Sequence, residues 1–436
     1  MKYISTNGTT APVNLLQATG NCIAPDGGLY LPSDIPSIPT AFFNNISEMT
    51  LKDIAFVVCS AFLDEEVPSH ELKNIVDFAF AFDSPLIRLD EHTFILELFH
   101  GPTLTFKDYG ARFLAQLLKL SDKKSATRRN ILIATSGNTG AAAANGLYKC
   151  SDTIVTVLYP KGKLSRVQTS QFASLGENIH PLEVAGTVED CKKLVSAAMT
   201  DEGLSQFHIT GANSINIGRL IPQICFGLHA YARLLEMGVE NAAEAAFSIP
   251  TGNLSNVVAC AIAKKMGLPC GKIIAATNTN NQLERIMNGE VSKPEAPIRT
   301  MAPSIDMTFP TGWPRLKALY GYSYEELQKD ILVASPVDDN MIKDTVNNLR
   351  ETSGYTLDPH TAVAYAAAAM HAPSDKPKVI FATGHPAKQL NIMTAITGAA
   401  IELPVQLTRF MSGRTHPMMI PPTLPALKKF LTAINN

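Results

Sequence analysis

Residues 131–148 read ILIATSGNTGAAAANGLY, and this stretch decides the fold. The β-branched run Ile131–Thr135 predicts a buried strand, and the alanine-rich segment Ala141–Tyr148 predicts a helix. Between them, Ser136–Gly140 has the small residues and glycines of a tight turn. A strand, a glycine turn and a helix in this order indicate a parallel α/β sheet, which binds ligands where its strands end. A capped turn without a ligand is the alternative reading of this segment alone.

The same alternation of apolar runs and helical periods continues along the chain. Further buried strands are predicted at Ile154–Tyr159, Ile179–Val184, Phe247–Pro250, Lys272–Thr277 and Val379–Thr383. Helices are predicted at Leu51–Leu63, Leu72–Phe82, Tyr109–Leu120, Val188–Met199, Ile217–Glu236 and Asn256–Met266. The pattern indicates an α/β protein with two sets of parallel strands covered on both faces, around 130–245 and from 246 onward. The proline-rich stretch 288–313 predicts a surface or active-site loop.

Composition excludes several classes of protein. The 436 residues suffice for two or three domains, and 46% of them are apolar. Only 17% are charged and the formal net charge is -2, which excludes disorder and argues against a general nucleic-acid or membrane-surface binder. The N-terminus lacks a signal segment, Ile54–Leu63 is too short to cross a membrane, and the seven cysteines form no CxxC pair. We expect a cytoplasmic protein with structural thiols and no zinc site.

A second glycine turn follows the strand Phe247–Pro250. Its residues Thr251–Asn256 read TGNLSN and open onto a helix. Backbone N–H groups of such a turn, together with the helix dipole, can hold a phosphate. The turn lacks the Gly-Lys-Ser/Thr ending of a P-loop and does not match a dinucleotide fingerprint. A capped turn is again the alternative.

The segment His100–Gly110 places a lysine in an unusual position. Lys107 lies near the start of a helix, between Phe106 and Tyr109. The helix dipole and apolar neighbours both disfavour its charged form and lower the amine pKa. Such a lysine can form a Schiff base. The alternative is a solvated lysine paired with Asp108.

Polar residues follow the later strands. Thr383 ends the strand Val379–Thr383, where its hydroxyl can donate to a ring nitrogen of a ligand or cap the next helix. His385 follows as a candidate shuttle base, although a structural histidine is the commoner case. Asp358-Pro359-His360 precedes an alanine-rich helix and is interpreted as a helix cap.

Taken in order, these motifs resemble the threonine synthase family of fold type II pyridoxal-phosphate (PLP) enzymes. Lys107 matches the PLP-binding lysine of that family, and Ser136–Gly140 matches its serine/glycine/asparagine loop. The segments that carry the resemblance are Asp26–Pro32, His100–Gly110, Ser136–Gly140, Leu158–Ser165, Asn213–Arg219, Ala275–Asn278, Trp313–Arg315, Gly354–Tyr355, Asp358–Tyr365 and Thr383–Lys388.

The resemblance implies a domain organisation and a cofactor site. It divides the chain into an N-terminal region, 1–85, a small α/β domain, 86–245, and a large α/β domain, 246–436, with PLP in the cleft. Asn138 would contact the pyridine hydroxyl oxygen, Thr383 the ring nitrogen and Gly252–Asn256 the phosphate. The implied PLP contacts are Lys107, Ser136, Asn138, Gly252, Asn253, Leu254, Ser255, Asn256 and Thr383.

The implied reaction converts O-phospho-L-homoserine and water to L-threonine and phosphate, with Lys107 as the acid/base. The substrate phosphate needs separate ligands, and the residues we expect to supply them are Lys163, Arg166, Asn213, Ser214 and Arg219, with Ser165 as a further donor. Surface salt bridges are the alternative for the cationic residues. A phospholyase that yields 2-oxobutyrate and a non-catalytic anion-binding protein on the same fold are the other functions considered. We expect a monomer or a homodimer.

The sequence departs from the family pattern at three positions. The usual Gly-Asn-Phe-Gly-Asn phosphate loop has Leu254 and Ser255 in place of Phe and the second Gly. Ser255 requires either an ordinary φ or a strained one, and its hydroxyl could reach the phosphate. Arg166 stands where the family often has Pro.

Overall fold

The computed structural model describes residues 1–63, 66–122, 128–150, 152–290, 293–415 and 417–435. Strands and helices are numbered here in chain order. The strands are β1 Tyr3–Ser5, β2 Tyr30–Pro32, β3 Leu86–Arg88, β4 Thr93–Glu97, β5 Arg129–Ala134, β6 Thr153–Pro160, β7 Ile179–Val184, β8 Ile209–Gly211, β9 Ala246–Pro250, β10 Ile273–Ala276, β11 Ile331–Val333, β12 Lys378–Ala382 and β13 Met418–Ile420.

The α-helices cover both faces of the two large sheets. They are α1 Leu15–Asn21, α2 Thr40–Asn45, α3 Leu51–Leu63, α4 Ser69–Ala79, α5 Lys107–Asp122, α6 Asn138–Gly146, α7 Arg166–Ala173, α8 Val188–Thr200, α9 Ile217–Leu220, α10 Ile224–Glu236, α11 Ser255–Lys265, α12 Gln282–Met287, α13 Trp313–Leu319, α14 Tyr324–Asp330, α15 Asp339–Ser353, α16 Pro359–His371, α17 Leu390–Thr397, α18 Val405–Met411 and α19 Leu424–Asn435. Among these residues, no helix combines the length and apolar character needed to cross a membrane.

The larger sheet has the strand order β11-β10-β9-β12-β4-β3. Its strands pair in parallel except for the antiparallel hairpin β3–β4. One face packs on α3, α4, α5, α10 and α11, and the other face packs on α15, α16 and α17. The prediction of a parallel sheet covered on both faces is confirmed.

The smaller sheet has the order β13-β7-β6-β5-β8, with all pairs parallel. Alternate residues of β5 point to opposite faces, because a strand has a period of two. Ile131 and Ile133 join a core with α5 to α7, while Leu132 and Ala134 join a core with α8 and α19. Residues 131–148 therefore form the central βα unit that their sequence predicts.

Two sequence expectations need correction. The two large sheets draw strands from both sides of the predicted boundary at 246, since β3 and β4 lie in the larger sheet and β13 lies in the smaller one. The sheet to which each of these strands belongs depends on the strand it pairs with, and that partner can be distant in sequence. The segment predicted as one helix, Ile217–Glu236, consists of α9, a 3₁₀ turn at Ile221–Gln223 and α10. Pro222 lies in the turn and has no N–H to continue the helical ladder.

The N-terminal residues pack on the rest of the chain rather than apart from it. β1 and β2 form an antiparallel pair, and the hydroxyl of Tyr3 donates to the carbonyl of Phe62 at 3.0 Å. The buried guanidinium of Arg315 donates to the carbonyl of Tyr30 at 2.8 Å and to that of Ile215 at 2.6 Å. Burial lowers the pKa of Arg315 to about 10. This arginine joins the N-terminal region to segments beside the cleft.

Candidate active site

A cavity with about 570 Å³ of empty space opens between the two large sheets. Its walls come from the segments that follow β4, β5, β9 and β12, so the carboxyl ends of strands from both sheets converge on it. The lining residues are Thr105, Phe106, Lys107, Asn138, Pro250, Thr251, Gly252, Asn253, Asn256, Ser304, Ile305, Asp358, His360, Thr383, Gly384, Lys388 and Gln389.

Lys107 is the first residue of α5 and part of its side chain is open to the cavity. Burial, with a smaller contribution from the charge of Arg219, lowers the pKa of its amine to about 8. The preceding loop is held against the end of β12, because the Phe106 N–H donates to the Thr383 carbonyl at 3.1 Å. The predicted position at a helix start and the depressed pKa are both present.

The carboxylate of Asp108 does not serve as the partner of Lys107. It accepts hydrogen bonds from the N–H of Thr103 at 2.8 Å and from the hydroxyl of Thr103 at 2.6 Å. Gly101 makes room for it, since a Cβ at that position would lie 2.4 Å from Asp108 Oδ2. The structure therefore disfavours the alternative of a solvated lysine paired with Asp108.

The turn after β5, residues 135–140, is held by one side chain. Thr135 Oγ1 accepts from the N–H groups of Gly137 at 2.9 Å and Gly140 at 2.8 Å. Gly137 has φ 128°, which L side chains rarely adopt. The turn delivers Asn138 to the cavity as the first residue of α6, while Ser136 is exposed and does not line the cavity.

The turn after β9, residues 251–256, forms the opposite wall. A Cβ on Gly252 would lie 2.7 Å from the carbonyl oxygen of Ile305, so only glycine fits this close approach. Within the described residues, the N–H groups of Gly252, Asn253 and Asn256 donate to no protein acceptor. Such a set of N–H groups at a helix start can hold a phosphate.

The departures at Leu254 and Ser255 have a clear structural outcome. Leu254 takes the left-handed conformation with φ 69° and is fully buried. Ser255 begins α11 with an ordinary backbone, and its hydroxyl donates to Asn253 Oδ1 at 2.9 Å. The unusual conformation therefore falls on Leu254, and the Ser255 hydroxyl is bonded to Asn253.

The residues expected to hold a substrate phosphate separate into two groups. Arg219 is buried behind Lys107, where it donates to the carbonyls of Ala212 at 2.8 Å and of Lys107 at 3.3 Å. Ser214 accepts from Asn253 Nδ2 at 3.1 Å. Arg219 is therefore no surface salt bridge, and one of its donors, Nε, has no partner in the described chain.

The second group, Lys163 and Arg166 with Ser165, lies further out. Lys163 and Arg166 are exposed, and Arg166 donates to the carbonyl of Met411 at 3.2 Å. Ser165 caps α7. Asn213 carries a buried Oδ1 with no partner in the described residues. Of the five residues expected to hold the substrate phosphate, none lines the cavity that contains Lys107, so their role stays a prediction.

Lys388 is a cavity residue that sequence reasoning did not single out. Its buried amine bonds Gln171 Oε1 on α7, which links the segment after β12 to the smaller sheet. Burial and the neighbouring Lys107 lower the pKa of Lys388 to about 7, although Asp108 opposes this shift. Its place six residues after β12 was visible in the Thr383–Lys388 motif, but the contact with Gln171 depends on the tertiary fold.

The residues of the cavity fit PLP. Four buried polar atoms on its wall have no hydrogen-bond partner among the described residues, namely Thr105 Oγ1, Asn138 Oδ1, Asn256 Oδ1 and Gln389 Nε2. Buried polar atoms of native proteins are normally bonded, so these atoms fit a ligand that carries polar ring substituents. The Gly252 cradle fits a phosphate, and Lys107 supplies an amine.

Sequence comparison agrees with this interpretation. The sequence model of the family described as "Pyridoxal-phosphate dependent enzyme" matches residues 80–384. The fold and the site thus define a PLP-dependent enzyme of fold type II, in the lyase class. A second model, "Threonine synthase N terminus", matches residues 2–80.

Full-length relatives narrow the class. A curated threonine synthase from Serratia marcescens is 36% identical over 440 residues, covering 100% of both chains. The crystal structure of threonine synthase from Escherichia coli has a TM-score of 0.91 at 34% identity, again covering 100% of both chains. A PLP-bound threonine synthase from Brucella melitensis has a TM-score of 0.91 at 29% identity and 99% coverage of both chains. The chain belongs to the threonine synthase family.

Proposed function

We propose that this enzyme converts O-phospho-L-homoserine and water to L-threonine and phosphate. The observation that carries the proposal is that Lys107 and the Gly252 cradle line one cavity, while the guanidinium of Arg219 donates to the Lys107 carbonyl. The N–H groups of the Gly252 cradle can take the phosphate of PLP, and the guanidinium of Arg219 can take the phosphate of a substrate.

The PLP-binding roles follow from the walls of the cavity. Within the turn Gly252–Asn256, the N–H groups of Gly252, Asn253 and Asn256 would hold the cofactor phosphate. Asn138 would contact the ring oxygen and Thr383 the ring nitrogen. Bound PLP supplies an electron sink for carbanions. A hydroxyl partner such as Thr383 does not force a proton onto the ring nitrogen.

Lys107 performs the proton transfers at the substrate carbons. With a pKa of about 8, roughly a tenth of the amine is neutral at pH 7, against well under 1% for an ordinary lysine. A neutral fraction of this size lets one amine act both as a base and, after protonation, as an acid. Burial is the main cause of this lowered pKa, and the charge of Arg219 adds to it. Arg219 also anchors the Lys107 carbonyl.

The substrate phosphate is proposed to bind between Arg219, Ser214 and Asn213, with Lys163 and Arg166 at the outer edge. The Nε donor of Arg219, which has no partner among the described residues, supports this site. A buried guanidinium stabilises the charge of departing phosphate far better than a solvated one. We further infer a cytoplasmic enzyme that works as a monomer or a homodimer.

The test is product identification with purified protein, PLP and O-phospho-L-homoserine. We expect threonine and phosphate in equal amounts, and loss of both with Lys107→Ala. The control is Lys192→Ala, which removes an exposed lysine paired with Glu189 and should leave activity unchanged. 2-Oxobutyrate in place of threonine would show a phospholyase, and PLP binding with no turnover would show a non-catalytic protein.

A further inference from the structure

A row of hydrogen bonds leads from the start of α16 to Asn138 on the other side of the cavity. His360 Nδ1 lies 2.5 Å from Asp358 Oδ2, and His360 Nε2 lies 3.0 Å from the backbone nitrogen of Ser304. Ser304 Oγ in turn lies 3.3 Å from Asn138 Nδ2. All four residues line the cavity.

These contacts determine the tautomer of His360. A backbone N–H can only donate, so His360 Nε2 must accept from Ser304 and the ring proton must reside on Nδ1. Nδ1 then donates to Asp358. The buried carboxylate thus fixes the tautomer of His360, and Nε2 of the ring can bind only a hydrogen-bond donor.

Asp358 is itself held in place. Its other oxygen, Oδ1, accepts from the N–H of Thr361 at 2.9 Å and from the Thr361 hydroxyl. Burial would raise the pKa of Asp358, but His360 and these hydrogen bonds outweigh it and the pKa is lowered. The cap that the sequence predicts is therefore present, and one of its two carboxylate oxygens also serves the imidazole.

The row crosses the cleft at its last link. Ser304 and His360 belong to the half of the molecule built on the larger sheet, whereas Asn138 begins α6 of the smaller sheet. The Ser304 hydroxyl can accept from the Asn138 amide nitrogen or donate to its oxygen. Either hydrogen bond fixes the position of the carboxamide beside Ser304, so that the other end of the amide is directed to the cavity.

The same loop supports the phosphate cradle. Ile305, next to Ser304, supplies the carbonyl that would lie 2.7 Å from a Cβ on Gly252. A displacement of Ser304 would therefore alter both the Asn138 contact and the wall of the cradle. His360 holds this loop through the Ser304 N–H.

We propose that Asp358, His360 and Ser304 form a positioning relay that orients the Asn138 carboxamide toward bound PLP. The relay rests on the proposed role of Asn138, and it makes His360 and Asp358 positioning residues. No step of the reaction passes through them.

The experiment measures PLP binding and the visible absorbance band of the holoenzyme, so it does not depend on which product forms. His360→Ala should weaken PLP binding about tenfold and shift the band. His360→Gln places an amide oxygen near the position of Nε2 and should restore most of both properties. Asp358→Asn, which no longer fixes the tautomer, should fall between the two.

His371→Ala is the matched control. Its Nε2 also accepts from a serine N–H, that of Ser335 at 3.1 Å, but at an exposed site in the same half of the molecule. We expect no change in PLP affinity or in the band for this variant. If His360 had a purely structural role, His360→Ala and His360→Gln would both lower thermal stability and leave the absorbance band in place. That result would overturn the proposal.

A double mutant separates the relay from a general effect of the loop. Once Asn138→Ala has removed the target, the added His360→Ala should have a much smaller effect on the band than it has alone. Additive effects would contradict the relay. The variant Ser304→Ala removes the hydroxyl but keeps the N–H bond to His360. It should therefore shift the absorbance band and change PLP affinity less than threefold. An unchanged band would contradict the proposal.

Discussion

The turns after β5 and β9 have closely related sequences but are stabilised in different ways. Each follows a buried strand, contains Gly-Asn, and opens a helix that faces the same cavity. In the β5 turn, residues 135–140, the left-handed position is taken by Gly137 with φ 128°. In the β9 turn, residues 251–256, it is taken by Leu254 with φ 69°.

The source of support differs as well. The β5 turn is closed by Thr135, a residue of the turn itself, through two N–H bonds. The β9 turn leans on distant segments, since the Asn253 carbonyl accepts from the N–H of Gly312 at 2.9 Å and Gly252 abuts Ile305. Local hydrogen bonds maintain the first turn, whereas the second combines its own local bonds to Thr251 and Asn253 with tertiary contacts. This is why an unfavourable residue such as Leu254 is tolerated in the second turn: its buried side chain offsets the backbone strain of about 1 kcal/mol.

The largest effect is expected for Gly252→Ala. The added methyl would lie 2.7 Å from the Ile305 carbonyl oxygen, and a backbone atom cannot move aside cheaply. We expect PLP affinity to fall about 100-fold, which corresponds to about 2.7 kcal/mol. An absorbance titration with PLP measures it.

The control for this variant is Gly20→Ala in α1, where an added Cβ would meet the Arg129 side chain at an ordinary 3.5 Å. Its PLP affinity should equal that of the parent enzyme. Equal affinities for Gly252→Ala and the parent would show that the β9 turn does not form the phosphate cradle.

A smaller effect, mainly on stability, is expected for Gly137→Ala. The space is occupied only by the flexible side chain of Gln168 at 3.2 Å, so the change acts through the positive φ. Residues forced into such a conformation lose about 1–3 kcal/mol. Chemical denaturation should therefore show a destabilisation of about 2 kcal/mol. An unchanged midpoint would mean that the β5 turn relaxes to another conformation.

Removal of the threonine hydroxyls compares the two turns directly. Thr135→Val leaves two N–H groups without their acceptor, whereas Thr251→Val affects only the Leu254 N–H, bonded at 3.1 Å. At about 0.5–1.5 kcal/mol per hydrogen bond, Thr135→Val should destabilise the protein by about 1–3 kcal/mol and Thr251→Val by about half as much. Equal losses would remove the distinction between local and tertiary support.

The smallest effect concerns pH and the lysine that faces both turns. The folded pKa of Lys107, about 8, lies below its ordinary value of 10.5, so the neutral amine gains favour as pH rises toward and through 8. PLP capture by the apoenzyme should accelerate about fivefold between pH 7 and 8 and level off above pH 9. Stopped-flow absorbance follows this rate.

The reference for the pH profile is the reaction of PLP with N-acetyl-lysine under the same conditions. Its rate should keep rising toward pH 10, because that amine has an ordinary pKa. Dividing one rate by the other removes the ionisations of PLP itself. A ratio independent of pH would show that the amine of Lys107 is not perturbed. The free energy of unfolding should also depend on this pKa, because the unfolded chain keeps its proton up to pH 10.5 and the folded chain loses it near pH 8. The contribution of Lys107 to stability should therefore rise with pH between about 8 and 10.5.

Much of the fold was predictable because its signals are local. Periods of two and 3.6 place β5, β6, β7, β9, β10 and β12 and most helices, and glycine turns mark where strands end. The position of Lys107 at a helix start follows from the same reasoning. Sheet membership of β3, β4 and β13 was not predictable, because it depends on which distant strand each one meets.

The site divides in the same way. The sequence alone determined that an amine, two N–H-rich turns and a polar strand end would meet at one edge of an α/β fold, since parallel strands bring their carboxyl ends together. Only the tertiary structure decided that Arg219 lies buried behind Lys107, that Lys388 reaches Gln171, and that His360 holds Ser304. These contacts join residues 56 to 217 positions apart, and burial of their charges sets the pKa values. Neither separation nor burial can be read from a local pattern, because both arise when the two sheets pack together.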